Sequence, residues 1–269
     1  MITWIASYPK SGNTWVRLLL STYRYGVCDI NNIEGSYLDY QPHFYKSLLI
    51  DKGEPIDVMH IRTAALYHMN EFFINPTLKT HWGNYEAFGI KAIPPSLTKR
   101  AIVVVRDPRD LVISLANFYR QSYDEIIENL NSKKAGTFEY YRYYLLADWS
   151  TYIKSWQTNK FPVFIVRYED LLANTIKTFT QILEFMGITP VVEKVEQTVE
   201  LTQFSKVQQQ EKDHGFVEQK NGATFFNNGK AIWKDELSPT QIELIEHSHK
   251  DEMTKFGYPL YERHHSGNN

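Results

Sequence analysis

The feature that most constrains the fold is a repeated pattern, in which a short apolar run is followed by a polar turn and then by a helix. The three clearest runs are rich in branched or aromatic residues and too short for helices: 2–6, 101–105 and 163–166. Continuous apolarity indicates strands that are buried on both faces, as in a parallel sheet. A weaker fourth candidate strand covers residues 56–59.

Each clear run leads into a helical pattern. The predicted helices cover residues 15–23, 111–118 and 171–186. Asp107 suits the N-cap of the second helix, Pro108 suits its first turn, and Gly187 suits the end of the third. The alternation predicts an α/β fold, a single domain with a parallel sheet flanked by helices. Ligands of such sheets bind at the carboxyl ends of the strands, so the polar turns are the candidate sites.

Charge and composition exclude several classes of protein. The chain has 269 residues, of which 43% are apolar, so it can bury a sizeable core. A net charge of -2 argues against bulk nucleic acid or an anionic membrane as the main partner. Cys28 is the only cysteine, which excludes an intrachain disulfide and fits a reducing compartment.

The first 20 residues do not read as a signal peptide. They lack a basic leader, and Pro9, Lys10 and Arg17 interrupt the apolar stretch. No apolar run approaches the roughly 20 residues that a membrane span needs. We therefore expect a cytoplasmic protein without a nucleic-acid or membrane partner, whose oligomeric state the sequence does not indicate.

The turn after the first run has the properties of a phosphate cradle. Gly12 lets the backbone approach an anion, and the start of the next helix directs amide groups and a positive dipole end toward it. Lys10 adds a full positive charge. Three further side chains add hydrogen-bond donors: Ser11, Asn13 and Thr14. The turn is not a Walker A motif, because the lysine precedes the glycine.

Two other positions are candidates for chemistry. Arg106 ends the second run and Ser114 lies on the helix after it, so both can reach one anion; the alternative is an ion pair of Arg106 with Asp110 that caps the helix. In the extended segment before the second run, Lys79 and His81 project to the same face, which would place an amine and an imidazole in one site. Histidine titrates near neutrality and can act as a general base.

In this order, the turns resemble those of the cytosolic-type sulfotransferases that use 3′-phosphoadenosine 5′-phosphosulfate (PAPS). Those enzymes carry Tyr-Pro-Lys-Ser-Gly-Thr-Thr-Trp where this chain has Asn13 at the first threonine, and Lys-Thr-His where it has Lys79 and His81. The resemblance implies a P-loop-like sulfotransferase fold over residues 1–262, and the polar composition of residues 263–269 predicts a flexible C-terminal tail. It also implies PAPS as co-substrate, adenosine 3′,5′-bisphosphate (PAP) as product, and no required metal.

The resemblance assigns a role to each matching residue. His81 becomes the base, and Lys10 and Lys79 stabilise the bridging oxygen of the leaving phosphate. Arg106 and Ser114 become ligands of the 3′-phosphate. The implied adenine contacts are Trp15, Tyr168, Thr202 and Phe204.

The C-terminal motif departs from the family. Its basic pair, which contacts the 3′-phosphate there, is replaced by Asn227 and Asn228, followed by Gly229 and Lys230. The asparagine amides, the backbone around Gly229, or Lys230 could take over this contact. Otherwise we expect weaker PAPS binding or a rearranged lid.

The acceptor is predicted less closely than the donor. Residues 26–75 and 120–150 are aromatic-rich and less regular, and we expect them to build acceptor-side walls and lids for a small, aromatic or amphiphilic molecule. The strongly polar stretch 205–224 is expected to be mobile. Two alternatives stay open: a P-loop kinase that uses Lys10 on ATP with a Mg²⁺ ligand such as Asp107 or Asp170, and a nucleotide-binding protein without catalysis.

Overall fold

All three clear apolar runs form strands, and each strand extends beyond its predicted run. The computed structural model describes residues 1–33, 55–132, 146–158, 160–219, 224–226 and 232–261. Its strands are β1 (Ile2–Ser7), β2 (Thr77–Thr80), β3 (Glu86–Ala87), β4 (Ile90–Lys91), β5 (Thr98–Val105) and β6 (Val163–Arg167). Four of them form one sheet in the order β2-β1-β5-β6, and each neighbouring pair is parallel. β3 and β4 form a separate antiparallel hairpin.

Helices cover both faces of this sheet. In chain order they are α1 (Asn13–Tyr25), α2 (Pro55–Phe72), α3 (Pro108–Tyr119), α4 (Tyr123–Asn131), α5 (Trp149–Trp156), α6 (Tyr168–Ala173), α7 (Thr175–Met186), α8 (Val192–Leu201), α9 (Phe204–His214), α10 (Trp233–Glu236) and α11 (Pro239–Lys255). The predicted cap of α3 is confirmed, because the Asp107 side chain accepts from the backbone N–H of Arg109 and Pro108 is the first helical residue. Gly187 ends α7 in the left-handed region, as predicted.

Alternate residues of each strand enter two different cores. Trp4 and Val103 pack in one apolar cluster with side chains of α2, α3, α4, α5 and α11. Ile5 and Val104 pack in a second cluster with α1, α6, α7 and α8. Successive side chains of a strand point to opposite faces, so a strand that is apolar at every position needs helices on both sides. The result is the predicted three-layer α/β arrangement.

The strand order places the candidate site. From β1 the chain moves to β2 on one side and returns to β5 on the other, so the direction of winding reverses between β1 and β5. A crevice opens at the carboxyl ends of the strands at such a reversal. The turns after β1 and β5, which carry Lys10 and Arg106, therefore meet at one edge of the sheet.

Two local predictions were wrong, and a third segment is more regular than its composition indicated. Residues 56–59 lie in the first turn of α2 and are not a strand, because three apolar residues around Asp57 fit a helix as well as a strand. The single helix predicted over 171–186 is two helices that break at Asn174, whose side chain caps α7. Half of the polar stretch 205–224 is α9, a helix with one buried row at Val207 and Glu211, and the mobility expected of this stretch stays a prediction.

The aromatic-rich regions are more regular than expected. α2 occupies most of the last third of residues 26–75, and α4 and the first residues of α5 fall within 120–150. The intervening ranges 34–54 and 133–145 lie outside the described residues, as does the predicted tail at 263–269. In the part of the chain that the structure describes, no helix has both the length and the apolar character needed to cross a bilayer.

Candidate active site

The loop after β1 is shaped by two residues with positive φ. Lys10 has φ 68° and Gly12 has φ 104°, so the backbone curls at the carboxyl end of β1 before α1 begins. Gly12 is required here for a second reason: a Cβ atom at this position would lie 2.5 Å from Cδ2 of Tyr168. A residue other than glycine would be strained and would push the Tyr168 ring away from the loop.

The N-terminus of α1 has the features of an anion site. No side chain caps it, and no acidic residue lies in its first turn. Ser11 is fully buried, and neither its Oγ nor the Nε1 of Trp15 has a hydrogen-bond partner among the described residues. Buried polar groups are normally paired, so two such donors beside a helix N-terminus fit an anionic ligand. Asn13 differs from its predicted role, because its amide donates to the carbonyl of Ile5 at 2.8 Å and ties α1 to β1.

Lys10 lies between aromatic rings. Its Nζ is 3.4 Å from the ring centroid of Phe225 and 4.5 Å from that of Phe118. Burial, followed by the charge of Arg106, lowers the pKa of Lys10 to about 7. The ammonium group is therefore poorly solvated, and a bound anion would stabilise its charged form.

Arg106 joins the two turns. Its Nη1 donates to the carbonyl of Lys10 at 3.2 Å, and its guanidinium lies 4.7 Å from the ring centroid of Tyr168. Among the described contacts Arg106 and Asp110 form no ion pair, and Asp110 accepts from the backbone N–H groups of Ile232 and Trp233. Ser114 is half-buried on α3, and its contact with a 3′-phosphate stays a prediction.

The strand register places His81 at the carboxyl end of β1, next to the loop that carries Lys10. β2 pairs with β1 so that Lys79 lies opposite Ile5, which sets His81 beside Ser7 at the end of β1. Nδ1 of His81 donates to the Ser7 carbonyl at 2.8 Å. Nε2 is therefore the unprotonated, basic nitrogen of the neutral ring. Burial, followed by the charge of Lys79, lowers the pKa of His81 to about 3, so the imidazole is neutral at physiological pH.

Lys79 forms an ion pair with a carboxylate that the sequence did not indicate. Its Nζ is 2.9 Å from Oε2 of Glu218. Arg17 of α1 reaches Oε1 of the same carboxylate at 2.9 Å, and the Thr14 hydroxyl donates to Oε2 at 3.2 Å. Glu218 is 4% exposed, and its two cationic partners hold its pKa well below its usual range even though burial acts in the opposite direction.

Aromatic rings form the wall beside the loop. The Trp15 ring centroid lies 4.9 Å from that of Phe204 and 6.0 Å from that of Tyr168. Three of the four predicted adenine contacts are thus neighbours. Thr202 differs, because its hydroxyl donates to the carbonyl of Thr198 at 2.8 Å and so completes the end of α8.

The departing C-terminal motif, Asn227, Asn228, Gly229 and Lys230, lies outside the described residues. The residues on either side of it are held by buried carboxylates. Glu211 accepts from the backbone N–H groups of Phe225 and Phe226, at 2.6 and 3.0 Å. Asp110 does the same for Ile232 and Trp233, at 2.9 and 3.2 Å.

Sequence reasoning missed two groups of residues. Arg17 had a local signal, since it is a charged residue inside the otherwise apolar stretch at 15–20 and such a residue needs a buried partner. Glu218, Glu211 and the anchoring role of Asp110 had none. Their partners lie up to 204 residues away along the chain.

The comparisons with known proteins decide the family. The sulfotransferase domain family matches residues 2–257. The chain belongs to the sulfotransferase family. Sulfotransferase 1A1 of Rattus norvegicus is 26% identical over 219 residues, which cover 76% of this chain and 66% of the rat protein. Cytosolic sulfotransferase 16 of Arabidopsis thaliana is 25% identical over 280 residues, covering 92% of this chain and 75% of that protein.

A solved structure shows the same fold. Retinol dehydratase in complex with androsterone and the inactive cofactor PAP superposes with a TM-score of 0.63 at 17% identity, over 97% of this chain and 82% of that one. The predicted sulfotransferase fold is confirmed. Family membership confirms the predicted enzyme class, a PAPS-dependent sulfotransferase, and decides against the kinase alternative.

Two observations bear on the metal that a kinase would need. Asp107 is paired with Arg109 at 2.6 Å, and Asp170 lies 3.3 Å from Arg167, so each carboxylate already has a cationic partner. Within the described ranges, no group of three histidine, cysteine or acidic residues is arranged to hold a metal ion.

Proposed function

We propose that this sulfotransferase acts on a hydroxyl or amine of a small-molecule acceptor, with His81 as the general base. One observation carries the proposal: the hydrogen bond from Nδ1 of His81 to Ser7, which leaves Nε2 as the basic nitrogen next to the anion cradle. A catalytic base needs its tautomer fixed and its position held, and the end of β1 supplies both.

The proposed reaction forms one bond to sulfur, breaks another and moves one proton. PAPS supplies an activated sulfuryl group and a phosphate leaving group. The acceptor oxygen forms a bond to sulfur as the bond from sulfur to the bridging oxygen breaks, and the acceptor proton goes to Nε2 of His81. An anion held near His81 would raise the pKa of this histidine from its low resting value, which improves it as a base near neutral pH.

Fixed cations would offset the charge that develops on the leaving group. We assign Lys10 and Lys79 to the bridging oxygen. The half-buried environment that lowers the pKa of Lys10 to about 7 also strengthens its interaction with an anion. We assign the 5′ end of the nucleotide to the turn before α1, with Ser11 and Gly12, and to the first two residues of the helix, Asn13 and Thr14.

The rest of the nucleotide is assigned along the same edge of the sheet. The aromatic wall of Trp15, Tyr168 and Phe204 offers an adenine site, with Thr202 as a further candidate. We assign the 3′-phosphate to Arg106 and Ser114. Asn227, Asn228, Gly229 and Lys230 remain candidates for the same phosphate, because the chain on both sides of them is anchored beside this turn.

The acceptor and the location are proposed from weaker support. Retinol dehydratase was solved with androsterone and with retinol, both apolar small molecules, which supports an aromatic or amphiphilic acceptor here. The Arabidopsis relative is named a cytosolic sulfotransferase, which supports a cytoplasmic location.

The test compares three histidine variants with a panel of phenols and PAPS as substrates. H81A removes the base, and H81N keeps a donor for the Ser7 carbonyl but has no Nε2. We expect kcat to fall by about 10²–10⁴-fold in both. H60A changes an exposed histidine of α2 and should match wild type.

Calorimetry with PAP, in the absence of Mg²⁺, separates loss of chemistry from loss of folding. All three variants should bind PAP within about twofold of wild type. A wild-type rate in H81N would refute the base assignment. If wild type bound PAP but transferred no sulfuryl group to any acceptor, the non-catalytic alternative would hold.

A further inference from the structure

The buried carboxylate of Glu218 contacts Thr14 and Lys79, two residues that the proposed function assigns to PAPS. Three donors from two separate elements converge on it: the Thr14 hydroxyl and Arg17 guanidinium of α1, and the Lys79 ammonium of β2. Each donor lies within 2.9–3.2 Å of one of its oxygens. This is the coordination that a phosphate or sulfate oxygen would receive in the same place.

The contact with Thr14 is the one that cannot be shared. A hydroxyl has a single proton, and that of Thr14 is directed to Oε2 of Glu218. A lysine has three donors and an arginine five, so Lys79 and Arg17 could serve two anions, but Thr14 could not. Binding of an anion to the Thr14 hydroxyl therefore requires its bond to Glu218 to break.

The charges at this site also make Glu218 and the nucleotide compete for the same cations. Without a ligand, Glu218 offsets the charges of Arg17 and Lys79, both of which are nine-tenths or more buried. The 5′ end of PAPS or PAP brings its own negative charge to these cations. Once it is bound, the Glu218 carboxylate becomes a like charge at close range, which weakens binding.

We propose that Glu218 is a donor-site residue that sets the affinity for the 5′ end of the nucleotide by competing with it for Thr14, Arg17 and Lys79. The inference rests on the proposed function, since it requires the nucleotide to use this cradle. Its consequence for turnover is that the carboxylate regains its partners as PAP departs, and so favours release of the product.

The test measures the binding of two nucleotides to matched variants by calorimetry. E218Q keeps the size of the side chain and removes the charge. We expect it to bind PAP about tenfold more tightly than wild type. Adenosine 3′-monophosphate lacks the 5′-phosphate, so its affinity should stay within about twofold. E252Q is the control, because Glu252 is a buried carboxylate of α11 whose partners are Gln157, Lys154 and Lys255, none of them in the cradle.

A second measurement keeps the inference testable if E218Q is unstable. Loss of the carboxylate leaves Arg17 and Lys79 buried without their counter-ion, so the ligand-free variant should melt at a lower temperature. Saturating PAP should then raise the melting temperature more in E218Q than in wild type. E218D, which keeps the charge but draws it back from Thr14, should tighten PAP binding by a smaller factor.

The outcomes separate the two proposals. If PAP binds to wild type and E218Q binds it equally or more weakly, Glu218 is only a structural counter-ion and the inference is wrong. If both nucleotides tighten equally in E218Q, the effect does not come from the 5′ end, and the inference is again wrong. If wild type binds no PAP, the proposed function fails, and this inference fails with it.

Discussion

Glu218 and Asp110 are both buried carboxylates at the edge of the sheet where the turns after β1 and β5 meet, but they are stabilised differently. Glu218 accepts from the side chains of Thr14, Arg17 and Lys79. Asp110 accepts from two backbone N–H groups, those of Ile232 and Trp233. The pKa of Glu218 lies well below its usual range, whereas burial raises the pKa of Asp110 to about 6.

The difference shows what kind of partner keeps a buried acid ionised. Full positive charges compensate the loss of water around a carboxylate, and two amide dipoles do so only in part. On the β1 side the acid is therefore a permanent anion beside the donor cradle. On the β5 side the acid titrates near pH 6, and it holds the chain at Ile232 and Trp233.

The largest expected effect tests whether the β5 side binds a phosphate of its own. R106A should weaken PAP binding by about 100-fold, because a forked, charge-assisted contact is lost. Binding of 5′-AMP, which has no 3′-phosphate, should change by less than threefold. Calorimetry with both ligands measures the ratio. Equal losses would mean that Arg106 supports only the Lys10 loop, through its bond to the Lys10 carbonyl.

The next prediction concerns the pH dependence of the free energy of unfolding, to which Asp110 and Glu218 contribute with opposite signs. The pKa of Asp110 is raised from 3.8 to about 6 in the folded state, so the folded form binds this proton more tightly than the unfolded form does. Stability from Asp110 is then greatest below about pH 4 and falls as the pH rises through 6.

D110N removes this titration. Its free energy of unfolding, relative to wild type, should rise by about 2–3 kcal/mol between pH 4 and pH 7. Glu218 has the reverse sign, because a lowered pKa contributes stability above the unfolded value and loses it only in acid. Urea titrations of D110N and E218Q across this range should diverge. Parallel curves would contradict the contrast between the two acids.

The smallest expected effect is the pH dependence of PAP affinity, which tests the charge of Lys10 on the β1 side. If the pKa of Lys10 is about 7 without ligand and rises when an anion binds, PAP affinity in wild type should fall by about tenfold per pH unit above pH 7. K10R keeps a positive charge at all these pH values, so its affinity should stay nearly constant from pH 7 to pH 9. Calorimetry over this range checks the slope. The same slope in both proteins would assign the titration to another group.

Much of the fold was predictable because its signals are local. Runs that are apolar at nearly every position indicated the buried strands, and Asp107, Pro108 and Gly187 marked helix ends that the structure has. The same local reasoning failed at residues 56–59, where three apolar residues around Asp57 fit either a strand or a helix. It also did not indicate α9, whose polar composition concealed a helix with only a narrow buried row.

Most of the proposed site was also indicated by local pattern. The turn before α1, the Lys79 and His81 pair and Arg106 each follow or end a strand, and parallel strands bring their carboxyl ends together. The pattern did not show what each side chain would contact. The Asn13 amide is bonded to Ile5, and the Thr202 hydroxyl to Thr198, although both were predicted to face the nucleotide.

The sequence by itself determined the sheet, the loop that curls at Gly12 and the residue types available for sulfuryl transfer, because these depend on neighbours in the chain. Only the tertiary structure decided which acid neutralises Lys79 and Arg17, and which acid holds the chain at Trp233. Those pairings join residues more than 120 positions apart, and the low solvent exposure that gives them their effect on pKa exists only after the layers have packed.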